Sequence, residues 1–184
     1  AQAVNAAIGI GVMILAMNFN YQKYRKWAWV LLGLAFVLML LVAATSLGSS
    51  GHGAQQWLKL GALRFQPSEI VKIALVLFLA KSLSENRSKL TSFRKGFLPY
   101  LLLIGFTCVI VALQDLGTAM VIAGTAFIML YCAGIRPAHL WMLIGAGIVF
   151  FIVMVIADPY RIERLVGFLN PWSDPLGTGY QTIQ

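Results

Sequence analysis

Charge is scarce in this sequence and acid is scarcer still: 14 Lys and Arg stand against 6 Asp and Glu in 184 residues. Only 11% of the chain is charged, against about a quarter in soluble domains, which excludes a water-soluble globule. Cysteine and histidine are limited to two each. Cys108 and Cys132 lie inside apolar blocks and read as small core hydrophobes; with no CxxC and no paired histidines, nothing frames a disulfide or a metal cluster. His52 and His139 stand alone near the ends of apolar blocks and read as interfacial side chains. No Walker loop, HExxH or GxSxG occurs, and there is neither a fixed-period repeat nor a low-complexity tract.

What is present is apolar sequence. Hydrophobic residues make up 60% of the chain, and the mean hydropathy is +0.82. They gather in nearly uncharged blocks close to the ~20 residues an α-helix needs to cross a bilayer. The runs are continuous rather than alternating, which excludes an outer-membrane barrel. The sequence therefore predicts an all-α polytopic membrane protein, a single transmembrane domain with spans at 4–19, 27–45, 67–83, 97–113, 117–133 and 138–157. Tyr21, Tyr24, Trp27 and Trp29 cluster at a span boundary, as amphipathic rings do at the headgroup level. The chain opens on Ala1 and closes on Gln184 after a loop-like stretch, and so reads as a piece of something longer, with no signal peptide to interpret.

The basic residues orient these spans. Nine of the 14 sit in three connectors, as Lys23, Arg25 and Lys26, then Lys81, Arg87, Lys89, Arg94 and Lys95, then Arg136. The positive-inside rule places all three connectors in the cytoplasm. That asymmetry accounts for the net charge of +8 without nucleic acid as a partner. Loops 46–66 and 158–184, and the hairpin at Asp115, then face outward. Long loops rich in Gly, Pro and Trp are where function usually sits, so the working face is the outer one.

Three charged groups near the membrane carry the chemistry. Glu69 and Lys72 fall one and two turns into the third span, spaced i, i+3 on one face. A charged side chain there costs several kcal/mol unless paired or facing water. The pair is either a structural salt bridge or the lining of a cavity; Gln66 and Ser68, beside Pro67, add hydrogen-bonding groups. Asp115 reads as an N-cap for the following helix, with Gly117 and Thr118 in its first turn, or as a carboxylate that holds a cation or a sugar hydroxyl. Arg161 and Arg164 share one face of a short interfacial helix, like charges that repel unless Asp158, Glu163 or an outside anion compensates. They either snorkel to headgroups or grip a lipid phosphate or pyrophosphate with their planar forks. The stretch from Asn170 to Gln181, with Asp174, reads as an ordered surface loop.

Four outward stretches together resemble the SEDS family, the FtsW/RodA/SpoVE type of shape, elongation, division and sporulation proteins. They are Gly53-Ala54-Gln55-Gln56-Trp57, then Gln66-Pro67-Ser68-Glu69 with Lys72, then Asp115-Leu116-Gly117-Thr118-Ala119, and Phe168-Leu169-Asn170-Pro171-Trp172-Ser173-Asp174-Pro175 running on to Gly177, Gly179, Tyr180 and Gln181. The cytoplasmic stretches Ala80-Lys81-Ser82-Leu83-Ser84-Glu85 and Thr91-Ser92-Phe93-Arg94-Lys95-Gly96-Phe97 are closer to the division and sporulation members. The resemblance covers essentially the whole chain and corresponds to the second through seventh family spans plus part of the large outer loop.

The resemblance implies a peptidoglycan glycosyltransferase of the bacterial cytoplasmic membrane that polymerises lipid II at its outer face and releases undecaprenyl pyrophosphate. It would work with a class B penicillin-binding protein and, by family expectation, a divalent cation (Mg or Mn). Trp57, Gln66, Ser68, Glu69, Lys72, Asp115, Thr118, Arg161, Arg164 and Asp174 would border the cavity and substrate path. The family's presumed catalytic aspartate, in a Thr-Asp-Phe motif, is not among these residues, so no catalytic base is assigned. Gln56 stands where the family usually has arginine, and Gln114 where it usually has proline. Two rival readings use the same residues: a transporter of the lipid-linked precursor, and a scaffold that recruits a transpeptidase through helix contacts.

Overall fold

The computed structural model describes residues 2–44, 48–51, 54–60, 63–159, 161, 162 and 166, with side chains described from 6–42 and, within those ranges, from 66 onward. Among the described residues run the α-helices α1 Gln2–Met17, α2 Tyr21–Ala44, α3 Pro67–Glu85, α4 Leu98–Gln114, α5 Leu116–Cys132 and α6 Pro137–Ile156. Among the described residues, three segments are both long and apolar enough to cross a membrane: Tyr21–Val42, Phe93–Gln114 and Pro137–Ile156. Ala6–Met17 and Leu116–Cys132 are apolar but shorter, and α3 carries Glu69, Lys72, Lys81 and Glu85. The architecture is that of a multi-pass helical membrane protein, as the sequence predicts.

Local chemistry sets the boundaries. α3, α4 and α6 each start with proline in the first turn, where its missing N–H has no helical partner to lose. α2 starts at Tyr21 rather than at residue 27, because Asn20 caps it: the Gln22 amide donates to Asn20 Oδ1 at 3.0 Å. The basic connector is thus the first turn of a helix. α1 closes through side chains that satisfy its last carbonyls, Asn18 Nδ2 donating to Ile14 O at 2.9 Å and Tyr24 Oη to Ala16 O at 3.3 Å. α5 ends at Gly134, whose φ of 85° lies in the left-handed region that glycine adopts without strain.

The residues group into two compact units, 1–90 with 128–134, and 91–127 with 135–184. In the first, α2 packs on α3. The buried stripe Ala28, Leu32, Ala35, Met39 and Val42 on α2 follows a heptad-like spacing, and α3 buries Ser68, Val71, Ala74, Leu75, Phe78 and Leu79. The small residues in both sets let helices approach closely, which matters where lipid supplies no hydrophobic drive between them. Trp29 meets Phe78 edge-on, with centroids 4.4 Å apart. Where the start of α2 meets the end of α3, Arg25 donates from Nε and Nη2 to Glu85 Oε1 at 3.1 and 2.9 Å. Both side chains are largely exposed, so this pair contributes only about 0–1 kcal/mol.

Loop 46–66 is where the structure adds to the all-α reading. It contains three short antiparallel strands in the order β1 Gly48–Gly51, β2 Ala54–Leu60 and β3 Leu63–Phe65. Ser49 pairs with Trp57 and Ser50 with Gln55, which leaves Gln56 as the extra residue of a bulge. β2 lies against α2 and α3, so the hairpin folds back over the ends of those helices.

In the second unit α4 is preceded by a π-helical turn, Phe93–Phe97. Its rings hold His139 of α6: Phe97 stacks on the imidazole at 4.9 Å and Phe93 lies 5.5 Å away. His139 is therefore buried rather than a wet interfacial side chain. The cysteines also divide. Cys108 is buried as expected, its thiol 3.7 Å from Ala119 O, whereas Cys132 is exposed, on the open side of the last turn of α5 with Tyr131.

Candidate functional site at the outer face

The first unit, taken by itself, holds the Gln66 to Lys72 segment at the start of α3. Gln66 is extended and leads into α3 without a side-chain cap; its carbonyl instead accepts the Glu69 amide at 3.1 Å. One turn on, Lys72 Nζ bridges the Glu69 carboxylate, 2.9 Å from Oε1 and 2.8 Å from Oε2. The i, i+3 pair read from the sequence is formed. Its side chains are 30% (Lys72) and 50% (Glu69) exposed, so the pair opens outward from the bundle rather than being sealed inside it. A carboxylate in the first turn also suits the positive end of the helix. Ser68 beside it is fully buried and its hydroxyl has no partner among the described residues. Trp57 reaches the same end of the unit through β2; its side chain lies outside the described residues.

In the second unit, taken by itself, Asp115 is the single residue between α4 and α5. Its backbone is extended and its amide closes α4 onto Val111 O at 2.7 Å. The carboxylate turns forward, Oδ1 accepting the Thr118 amide at 3.2 Å and Oδ2 the Thr118 hydroxyl at 2.8 Å. This is the N-cap reading realised. Thr118 is thereby a holder of Asp115. Gly117 completes the arrangement: a Cβ there would stand 3.2 Å from Asp115 Oδ1, so a side chain would crowd the carboxylate. The Leu-Gly-Thr triplet after Asp115 was the signal for it.

Arg161 is held by groups of the protein itself. Its Nη2 donates to Ala112 O in the last turn of α4 at 2.9 Å, its Nη1 to Met154 O in the last turn of α6 at 3.0 Å, and its Nε lies 3.3 Å from Asp158 Oδ2. The side chain is only 18% exposed. The fork staples two helix ends by filling carbonyls that lack helical partners, three residues from Asp115. Arg161→Lys keeps the charge but cannot reach both carbonyls at once. It is expected to lower stability by about 1–3 kcal/mol, read as a drop in the thermal midpoint of the intact detergent-solubilised protein. Arg164 and Asp174 lie outside the described residues.

Among the described residues no group of three or more His, Cys, Asp and Glu could hold a metal ion. The carboxylates of Glu69 and Asp115 each hydrogen-bond within their own helix turn.

Comparison with known proteins decides the family. The FtsW/RodA/SpoVE model, described as "Cell cycle protein", matches residues 1–184. The chain belongs to the FtsW/RodA/SpoVE family. Stage V sporulation protein E of Bacillus subtilis is 42% identical over 184 residues, covering 100% of this chain and 50% of that protein. "Probable peptidoglycan glycosyltransferase FtsW" of Geobacter sulfurreducens is 41% identical over 187 residues, covering 100% of this chain and 49% of that protein. The chain thus spans about half the length of these curated relatives. Among solved structures, a chain from work on "polymerization and crosslinking by a peptidoglycan synthase complex" superposes with a TM-score of 0.78 at 30% identity, over 99% of this chain and 54% of that one. The rod shape determining protein RodA of Thermus thermophilus gives 0.64 at 29% identity, over 80% of this chain and 48% of that one.

Proposed function

We propose that the intact protein is a peptidoglycan glycosyltransferase of cell division or sporulation, which polymerises lipid II at the outer face of the bacterial cytoplasmic membrane beside a class B penicillin-binding protein. The observation that carries this reading is the match of every residue of the chain, at 41% identity, to a relative named as such an enzyme.

In this reaction the acceptor sugar hydroxyl attacks the donor anomeric carbon and undecaprenyl pyrophosphate departs. The site residues bind and orient rather than exchange the proton. The half-exposed Glu69–Lys72 pair offers both a hydrogen-bond acceptor and a donor at the mouth of α3, where a polar glycan can replace water around charges the bilayer would otherwise penalise. Asp115, held by Thr118, retains lone pairs free to accept from sugar hydroxyls, since a carboxylate can accept about four hydrogen bonds. Arg161 fixes the helix ends around it. No residue of the chain is assigned as the general base, and no step is routed through a cation.

Reconstitution of the intact protein into liposomes carrying lipid II separates this reading from transport. Glycan chains are expected. Movement of the precursor across the bilayer without polymer would make the protein a transporter, and neither event would leave a scaffold.

A further inference from the structure

Away from the outer face, the second unit holds a cavity of about 390 Å³ among α4, α5 and α6, lined by Leu101, Gly105, Phe127, Ile144, Gly147 and Phe150 among others, all apolar or glycine but for Cys108. Its size falls in the range of ligand sites, about 300–1,000 Å³. At 1.5 Å per residue, the α6 lining from Leu143 to Phe150 lies roughly 10–21 Å along the helix from Arg136, straddling the midplane of a core about 30 Å thick, the depth at which an inner-leaflet acyl chain ends.

At the cytoplasmic end of the same helices stands a cluster of cations. The π-helical turn carries Arg94 and Lys95, and the stacking of Phe93 and Phe97 on His139 ties that turn to the start of α6. Arg136 is the residue before Pro137, and makes no side-chain cap. All three cations are exposed, and none forms a salt bridge among the described residues. Both apolar spans begin here, at Phe93 and at Pro137, so the cluster lies at headgroup depth. Trp141, 71% exposed, stands just deeper, where membrane-interface aromatics gather.

We propose that this is a binding site for one anionic glycerophospholipid of the inner leaflet, its phosphate among Arg94, Lys95 and Arg136 and one acyl chain in the α4–α5–α6 cavity. The positive-inside rule accounts for cations in these connectors. It does not account for an acyl-sized cavity opening between the same helices, and the charge of the cluster selects an anionic headgroup. The site lies at the other end of α4 from Asp115 and does not depend on the polymerase reading.

The test uses the intact protein, delipidated in neutral detergent, with bound lipid counted by native mass spectrometry. The first dioleoyl phosphatidylglycerol is expected to bind about tenfold more tightly than dioleoyl phosphatidylcholine, a preference that the combined variant Arg94→Gln, Lys95→Gln, Arg136→Gln abolishes. Removing inner charges can itself disturb insertion, so a second variant keeps them all. Gly147→Leu projects into a space with nothing within 4 Å of its Cβ, and is expected to weaken the dioleoyl lipid about tenfold while leaving dihexanoyl phosphatidylglycerol unchanged. Equal binding of the two headgroups by the unaltered protein, or unchanged dioleoyl binding by Gly147→Leu, would overturn the proposal. So would inorganic phosphate binding as tightly as the lipid.

Discussion

Glu69→Ala and Lys72→Ala should each destabilise the intact protein by about 1–3 kcal/mol, because either leaves its partner as an uncompensated charge at membrane depth. The estimate sits below the range for fully buried pairs because both side chains reach solvent, 50% and 30% exposed. The double variant should recover most of that loss, since it removes both charges. Thermal unfolding of the two single variants and the double variant closes the cycle, with a coupling of about 1–2 kcal/mol expected. Strict additivity would mean that the 2.8 Å contact between Nζ and Oε2 carries no energy. Polymerisation should fall in all three variants. Restored folding without restored polymerisation separates the pair's contribution to packing from its contribution to the substrate surface.

The second large effect belongs to Asp115. Asparagine is as good an N-cap as aspartate, whereas alanine costs a helix about 1 kcal/mol. Asp115→Asn is therefore expected to leave the thermal midpoint of the intact protein unchanged, its amide oxygen taking over the Thr118 N–H bond now 3.2 Å long. Its polymerisation rate should nevertheless drop about tenfold, the loss expected when a charged acceptor of about 1.5–3 kcal/mol becomes neutral. Asp115→Ala should lose both. Full activity in the asparagine variant would reduce Asp115 to a cap.

The apolar blocks made the helices legible because continuous hydrophobicity at bilayer length admits few other folds. Boundaries were harder where two rules competed. Lys23, Arg25 and Lys26 oppose the helix dipole at an N-terminus, which argues for a connector, yet the Asn20 cap and the Arg25–Glu85 pair carry α2 out to Tyr21. The hairpin in 48–65 has strands as short as three residues, too short for a period to show. At the site, the i, i+3 spacing of Glu69 and Lys72 and the Asp115–Thr118 cap were readable because both partners lie within one helical turn. Arg161 was not, because its partners Ala112 and Met154 are carbonyls, which every residue has, and Ala112 lies 49 residues away. Burial of His139 likewise depends on rings from another element.

The central claim is that the intact protein itself forms the glycosidic bond. Its most direct test is to incubate the purified protein with lipid II, with no other glycosyltransferase present, and to resolve the products on a gel. The account predicts glycan chains that lengthen with time in the unaltered protein and are strongly reduced in the equally stable Asp115→Asn variant. Lipid II left unpolymerised by a folded, correctly inserted protein would contradict it.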